Sequence, residues 1–124
     1  MITLEQLSDR QAVTDLVSRL GLWLDGETTL EQARAILDPE VAVDTPGGTA
    51  QGIERVVAQA RNNHEVPTQH LITNVLVDLD GDRATAGANV LVHFPDNTMA
   101  ARYAFEAKRH DGAWRLTRIQ VTPL

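Results

Sequence analysis

Apolar residues near the start of the chain recur at three- and four-residue intervals. Val13, Leu16, Val17, Leu20 and Leu24 form one stripe, the spacing that puts side chains on a single helix face. Ser8 and Gln11 stand ahead of it in the relation of a capping box, so the pattern predicts a long amphipathic helix from Asp9 to Leu24. Thr29 and Gln32 repeat the start signal, and Leu30, Ala33, Ile36 and Leu37 supply a second stripe. Pro39 should close that helix, since proline cannot donate to the ladder. Val41 and Val43 alternate before Pro46-Gly47-Gly48, which predicts a short strand and a turn. Ile53, Val56, Val57 and Ala60 then mark a third helix after Gly52.

From Gln69 the period becomes strand-like. β-branched and apolar residues are interrupted by Asp80-Gly81, Pro95-Asp96-Asn97 and Asp111-Gly112, so four consecutive antiparallel strands are expected. Helix, helix, strand, helix and a four-stranded meander make a single α+β domain. Its N-terminal helices are the only cover for one face of the sheet.

A turn at Asp80-Gly81 pairs residues whose numbers sum to about 161. That register places His70, Ile72, Asn74, Gly87, Asn89, Leu91 and His93 on one face, extended by Arg102 and Glu106. Leu71, Val75, Val77, Val90, Val92, Phe94, Tyr103 and Phe105 take the other, and a one-residue bulge would move part of either set across. The polar set is either a solvated outer face or, with Ile72, Leu76 and Leu91 among it, the wall of a pocket. Asp25, after Trp23-Leu24, faces the negative end of its helix dipole. It is either a solvated turn carboxylate beside Gly26 or a carboxylate able to work with an imidazole. Trp23 and Trp114 read first as packing residues, and His64 and His110 as exposed.

Composition narrows the chemistry. A net charge of −6, with arginines scattered among acids, disfavours nucleic acid. The absence of cysteine removes disulfides, thiolate metal sites and a thiol nucleophile. The N-terminal residues show no secretory pattern and no stretch approaches a membrane span, so a cytoplasmic protein that engages no membrane is expected. There is no His-Glu-x-x-His, no glycine-rich phosphate loop and no Gly-x-Ser-x-Gly elbow, and nothing calls for a metal or another cofactor.

Several strings, in order, carry a resemblance: Trp23-Leu24-Asp25-Gly26-Glu27, Leu37-Asp38-Pro39-Glu40-Val41, Val43-Asp44-Thr45, Gly47-Gly48, Gly52-Ile53, Gln69-His70-Leu71-Ile72-Thr73-Asn74, Leu79-Asp80-Gly81-Asp82-Arg83-Ala84 and Gly112-Ala113-Trp114-Arg115-Leu116. Over essentially its whole length the chain resembles the SnoaL-like proteins of the nuclear-transport-factor-2-like superfamily, which includes polyketide cyclases, scytalone dehydratase and ketosteroid isomerase. The resemblance implies a cone-shaped α+β barrel whose curved sheet wraps the long helix around a deep pocket, in a homodimer formed through the sheets. It implies acid/base work shared by Asp25 and His70, with Trp23, Asn74, Asn89, His93 and Tyr103 as candidate substrate contacts. The tyrosines expected around the first helix are replaced by Leu20 and Leu24, the oxyanion-hole pair of the steroid isomerases has no counterpart, and Arg102 lacks the flanking acid of the epoxide hydrolases. The expected function is therefore a cofactor-independent dehydratase, isomerase or cyclase acting on a small hydrophobic carbonyl or polyketide-like molecule. The alternatives are a non-catalytic dimeric module binding a small hydrophobic molecule or a partner, and a purely structural dimerisation domain.

Overall fold

The computed structural model describes residues 1–63 and 66–124, so His64 lies outside the described residues. In chain order the elements are α1 (Leu4–Asp25), α2 (Leu30–Arg34), β1 (Leu37–Thr45), β2 (Gly48–Gln51), α3 (Ile53–Asn63), β3 (Gln69–Asp80), β4 (Arg83–His93), β5 (Thr98–His110) and β6 (Ala113–Pro123). The strands form one curved, unclosed sheet in the order β2-β1-β6-β5-β4-β3. All neighbours are antiparallel except β1 and β6, which run parallel. Helices cover the concave face, giving the expected cone-shaped α+β fold with its barrel left open.

Helix α1 begins earlier than its apolar stripe suggests. Thr3 caps it, accepting from the Gln6 amide at 3.1 Å while the Gln6 side chain accepts from the Thr3 amide at 2.8 Å. The same capping signature thus operates at Thr3 instead of Ser8, and Gln11 donates to Asp15. The first turns escape a reading by periodicity because Leu4 and Leu7 are exposed. Helix α2 is shorter than expected. Thr29 caps it, but it ends at Arg34, and Ile36 and Leu37 are buried at the entry to β1. Pro39 therefore lies within β1, where β1–β6 pairing skips from Leu37 to Ala42, as a residue without an N–H requires.

The turn between β3 and β4 is centred on Gly81 and Asp82, because Asp80 pairs with Arg83. Gly81 supplies the positive φ of 61°. This moves the register along the strands without exchanging faces. The exchange comes from a bulge between Thr73 and Leu76, where Asn74 adopts φ 57° and β3 carries one extra residue. Asparagine is among the residues that tolerate this left-handed conformation. Beyond the bulge His70 pairs with Val92 and Ile72 with Val90, so both join the concave face. The expected face assignment is corrected accordingly: His70 and Ile72 move in, and Leu71 moves out.

The core lies between the concave face and the helices. Val13, Leu16, Val17 and Leu20 of α1 are buried with Ala84, Ala86 and Ala88 of β4, Phe105 and Ala107 of β5 and Leu116 and Ile119 of β6. Each fully buried aliphatic side chain of this kind contributes about 1.5–3 kcal/mol. Helix α1 packs chiefly along β3 and is tied down at its N-terminal end. There Asp9 accepts from Arg109 at 2.8 Å and from the Trp114 indole at 3.1 Å. Arg109 also bonds Asp82 and lies over the Trp114 ring. Toward its C-terminal end α1 meets β3 at Gly21. A Cβ on that residue would lie 2.7 Å from Ile72 Cδ1 and 3.7 Å from His70 Cβ.

Two substitutions at Gly21 separate helix propensity from this close approach. Gly21→Ala should stay within about 1 kcal/mol of the parent, because the helix gains propensity while the terminal methyl of Ile72 yields. Gly21→Val should destabilise by about 2–3 kcal/mol through overpacking. Urea denaturation measures both, and equal stabilities for the two variants would refute the contact.

Candidate active site

Asp25 is the last residue of α1 and His70 the second residue of β3. The antiparallel course of helix and strand brings them together at the wide end of the cone. His70 Nδ1 lies 2.6 Å from Asp25 Oδ1, with the imidazole side chain 2% exposed and the carboxylate 18% exposed. The His70 amide donates to both carboxylate oxygens at 3.0 and 2.9 Å, and the Thr68 hydroxyl donates to Oδ1 at 3.3 Å. These donors offset the unfavourable end of the helix dipole. A carboxylate beside Nδ1 favours a proton on that nitrogen, so proton exchange by the ring falls to Nε2.

Two adjoining cavities open on this face. The outer one, about 320 Å³ and open to solvent, is lined by His70, Val92, Phe94, Met99, Ala101 and Pro123 among others. The inner one, about 70 Å³, is lined by Leu20, Trp23, Val43, Val56, Ala60 and Ile119 among others. Thr45, Tyr103 and Val121 line both. Trp23 turns its indole N–H to the Thr29 carbonyl at 3.0 Å, so its ring is a fixed wall. Thr28, just before Thr29, is buried at φ 49°, an uncommon conformation for a β-branched residue. Burial, and then the negative charge of Asp25, push the Tyr103 phenol up to about 12.

The other residues singled out by pattern lie elsewhere. Asn74 occupies the bulge and is exposed. Asn89, His93, Arg102 and Glu106 are exposed on the convex face, where His93 meets Thr98 at 3.1 Å and Arg102 stands opposite Asn89. His110 is exposed as expected, and Trp114 packs at the narrow end. Thr68 and Gly21 escaped the pattern reading, because a loop hydroxyl and a lone helical glycine carry no periodic signal. Among the described residues no three His, Asp or Glu side chains converge as metal ligands, and no helix is long and apolar enough to cross a membrane.

A family model described as a SnoaL-like domain matches residues 5–120. The chain belongs to the SnoaL-like family. No curated protein sequence matches it. Among solved structures, this SnoaL-like chain is similar to a hexachlorocyclohexane dehydrochlorinase (LinA) Type2, with 25% identity, a TM-score of 0.82, and coverage of 98% of this chain and 92% of that one. It is also similar to the Kfla4162 protein of Kribbella flavida, with 24% identity, a TM-score of 0.83 and coverage of 94% and 90%. A candidate scytalone dehydratase of Novosphingobium aromaticivorans shares the fold at 17% identity, a TM-score of 0.80 and coverage of 95% and 85%.

Tyr103 is the only tyrosine of this SnoaL-like chain, so its ionisation can be followed by ultraviolet absorbance. The midpoint should fall near 12 instead of the ordinary 10.0. A phenol whose folded-state pKa is raised contributes stability that is complete below pH 10 and is lost as pH rises towards 12. Across that window the parent should lose about 2–3 kcal/mol that Tyr103→Phe does not lose. A midpoint at the ordinary value would show that the phenol is not withdrawn from water.

Proposed function

We propose that this protein is a cofactor-independent acid/base enzyme that removes a proton from carbon next to a carbonyl in a small, largely apolar molecule. The observation that carries the reading is the buried contact between Asp25 and His70 at the edge of a cavity large enough for such a molecule. His70 Nε2 takes the proton, and the carbon–hydrogen electron pair moves through the new double bond onto the carbonyl oxygen. In a dehydration the pair returns to expel a β-hydroxyl group, which leaves as water with the proton from His70. In an isomerisation the same proton is delivered to another carbon of the conjugated system. Asp25 holds Nδ1–H throughout and stabilises the imidazolium formed in between. The neighbours described as a dehydrochlorinase and a candidate dehydratase support the reading, since both words denote eliminations.

The test is wash-in of solvent deuterium next to the carbonyl of alkyl-substituted cyclohexanones, followed by mass spectrometry. The parent should accelerate exchange, and His70→Ala and Asp25→Asn should each lower the rate at least ~10²-fold while keeping the parent's circular dichroism. Exchange that proceeds equally well without the imidazole, or no exchange with any ketone, would sink the proposal.

We also propose a homodimer formed through the convex face of the sheet. Leu71 and Leu91 pair there across strands, and Leu76 is 75% exposed, an apolar surface that a monomer would leave in water. Sedimentation should give a dimer for the parent and a monomer for Leu76→Asp. A monomeric parent at high micromolar concentration would exclude this assembly.

A further inference from the structure

Tyr103 sits at the junction of the two cavities and lines both. Its phenol makes no hydrogen bond to a described residue, yet no buried side-chain polar atom among the described residues lacks a partner. The phenolic oxygen must therefore reach cavity space. A hydroxyl withdrawn from water on most sides and facing a cavity is short of one partner, and a ligand oxygen can supply it. The hydroxyl stays neutral over the physiological range, its proton held up to about 12, so its O–H is available to donate. Among the described residues no lysine or arginine lines either cavity, and Asp25 already places a negative charge nearby. A carboxylate or phosphate would meet the negative charge of Asp25 with no guanidinium or ammonium group to offset it, which favours a neutral acceptor.

The inner cavity limits the rest of the molecule. Apart from Thr45, Gln59 and the phenol, the described residues that line it are apolar. At about 70 Å³, and with a water molecule taking roughly 30 Å³ of liquid, it holds about two to three non-hydrogen atoms. A short alkyl group fits, and a longer chain does not.

We infer that Tyr103 is the specificity-determining residue of a two-part site, its hydroxyl donating to a neutral carbonyl or hydroxyl oxygen while the inner cavity takes an ethyl- to propyl-sized group of the same molecule. This deepens the acid/base reading and rests on it for the placement of the reacting carbon beside His70. It names the substrate class as neutral oxygenated molecules bearing a short alkyl substituent.

The two tryptophans make the site readable in solution. Trp23 lines the inner cavity, whereas Trp114 lies at the narrow end beside Arg109 and serves as an internal control. Indole N–H resonances of the nitrogen-labelled protein are followed while cyclohexanones carrying methyl, propyl or hexyl opposite the carbonyl are added, with propylcyclohexane as the oxygen-free comparison. Ketones should move Trp23 and leave Trp114 in place. Affinity should rise about tenfold from methyl to propyl, as burial of two methylenes predicts, and should rise no further at hexyl. Tyr103→Phe should weaken the ketones about fivefold to tenfold without changing propylcyclohexane. Val56→Leu should abolish the gain from methyl to propyl.

Unchanged ketone affinity in Tyr103→Phe, an affinity flat from methyl to propyl, or no ketone that moves Trp23 would each overturn the inference. These readouts need no turnover, so the two readings can fail separately. Ketones that bind with this pattern but never exchange hydrogen would remove the acid/base function and leave the two-part site standing. Exchange that depends on His70 in a protein indifferent to Tyr103→Phe would do the reverse.

Discussion

The close approach of α1 to β3 is the constraint on which the rest of the structure depends. A helix and a sheet normally stand about 10 Å apart because side chains fill the gap. At Gly21 there is no side chain, and the Ile72 methyl occupies the space where a Cβ would sit. One turn later the helix ends at Asp25, low enough over the sheet for its carboxylate to reach the amide and the ring of His70. The opposite end of the helix is held by Asp9, through Arg109 and Trp114. Pinned at both ends, α1 has little freedom to slide along β3, and the geometry at Asp25 follows from packing that begins several turns away.

The bulge at Asn74 is the complementary device on the strand. Without it, an imidazole in register with Val77 would point to solvent, since every residue on one side of a strand reverses when the register slips by one. One extra residue lets β3 present Val75, Val77 and Leu79 to the core near the narrow end and His70 to the cavity at the wide end. The polar side chains on β4 and β5 stay on the convex face, which is why Asn89 and His93 part company with His70.

Much of the fold was legible in the sequence because its signals are local. The stripe from Val13 to Leu24 specified α1, and the positive-φ pair Asp111-Gly112 marked the last hairpin. Other features depend on partners distant in the chain. The apolar run Ile36-Leu37 suits a helix end or a strand start equally well, and pairing with Leu116 decides it. The exposed strand β2 has no alternation to read. Of the candidate site, Asp25 and His70 were legible only through family strings, and the face that His70 occupies was not legible at all. Thr68 is a donor to Asp25 by virtue of where the loop before β3 lies, which no spacing encodes.

Asp25 and His70 also explain one another. A carboxylate ending a long helix opposes the dipole, and a nearly buried imidazole needs a partner for its N–H. Each satisfies the other, and the Thr68 hydroxyl and the His70 amide hold the carboxylate in a single orientation. Such a pair is assembled before any ligand arrives, so binding energy is not consumed in orienting it. On the proposed function, discrimination between ligands comes from the surfaces beyond the pair. Those surfaces are a mostly apolar inner cavity and a phenol, features that select by shape and by one hydrogen bond, not by charge. On the proposed reading, such a pair can serve different molecules as the walls around it change, so that the chemistry and the substrate range would be written in separate sets of residues.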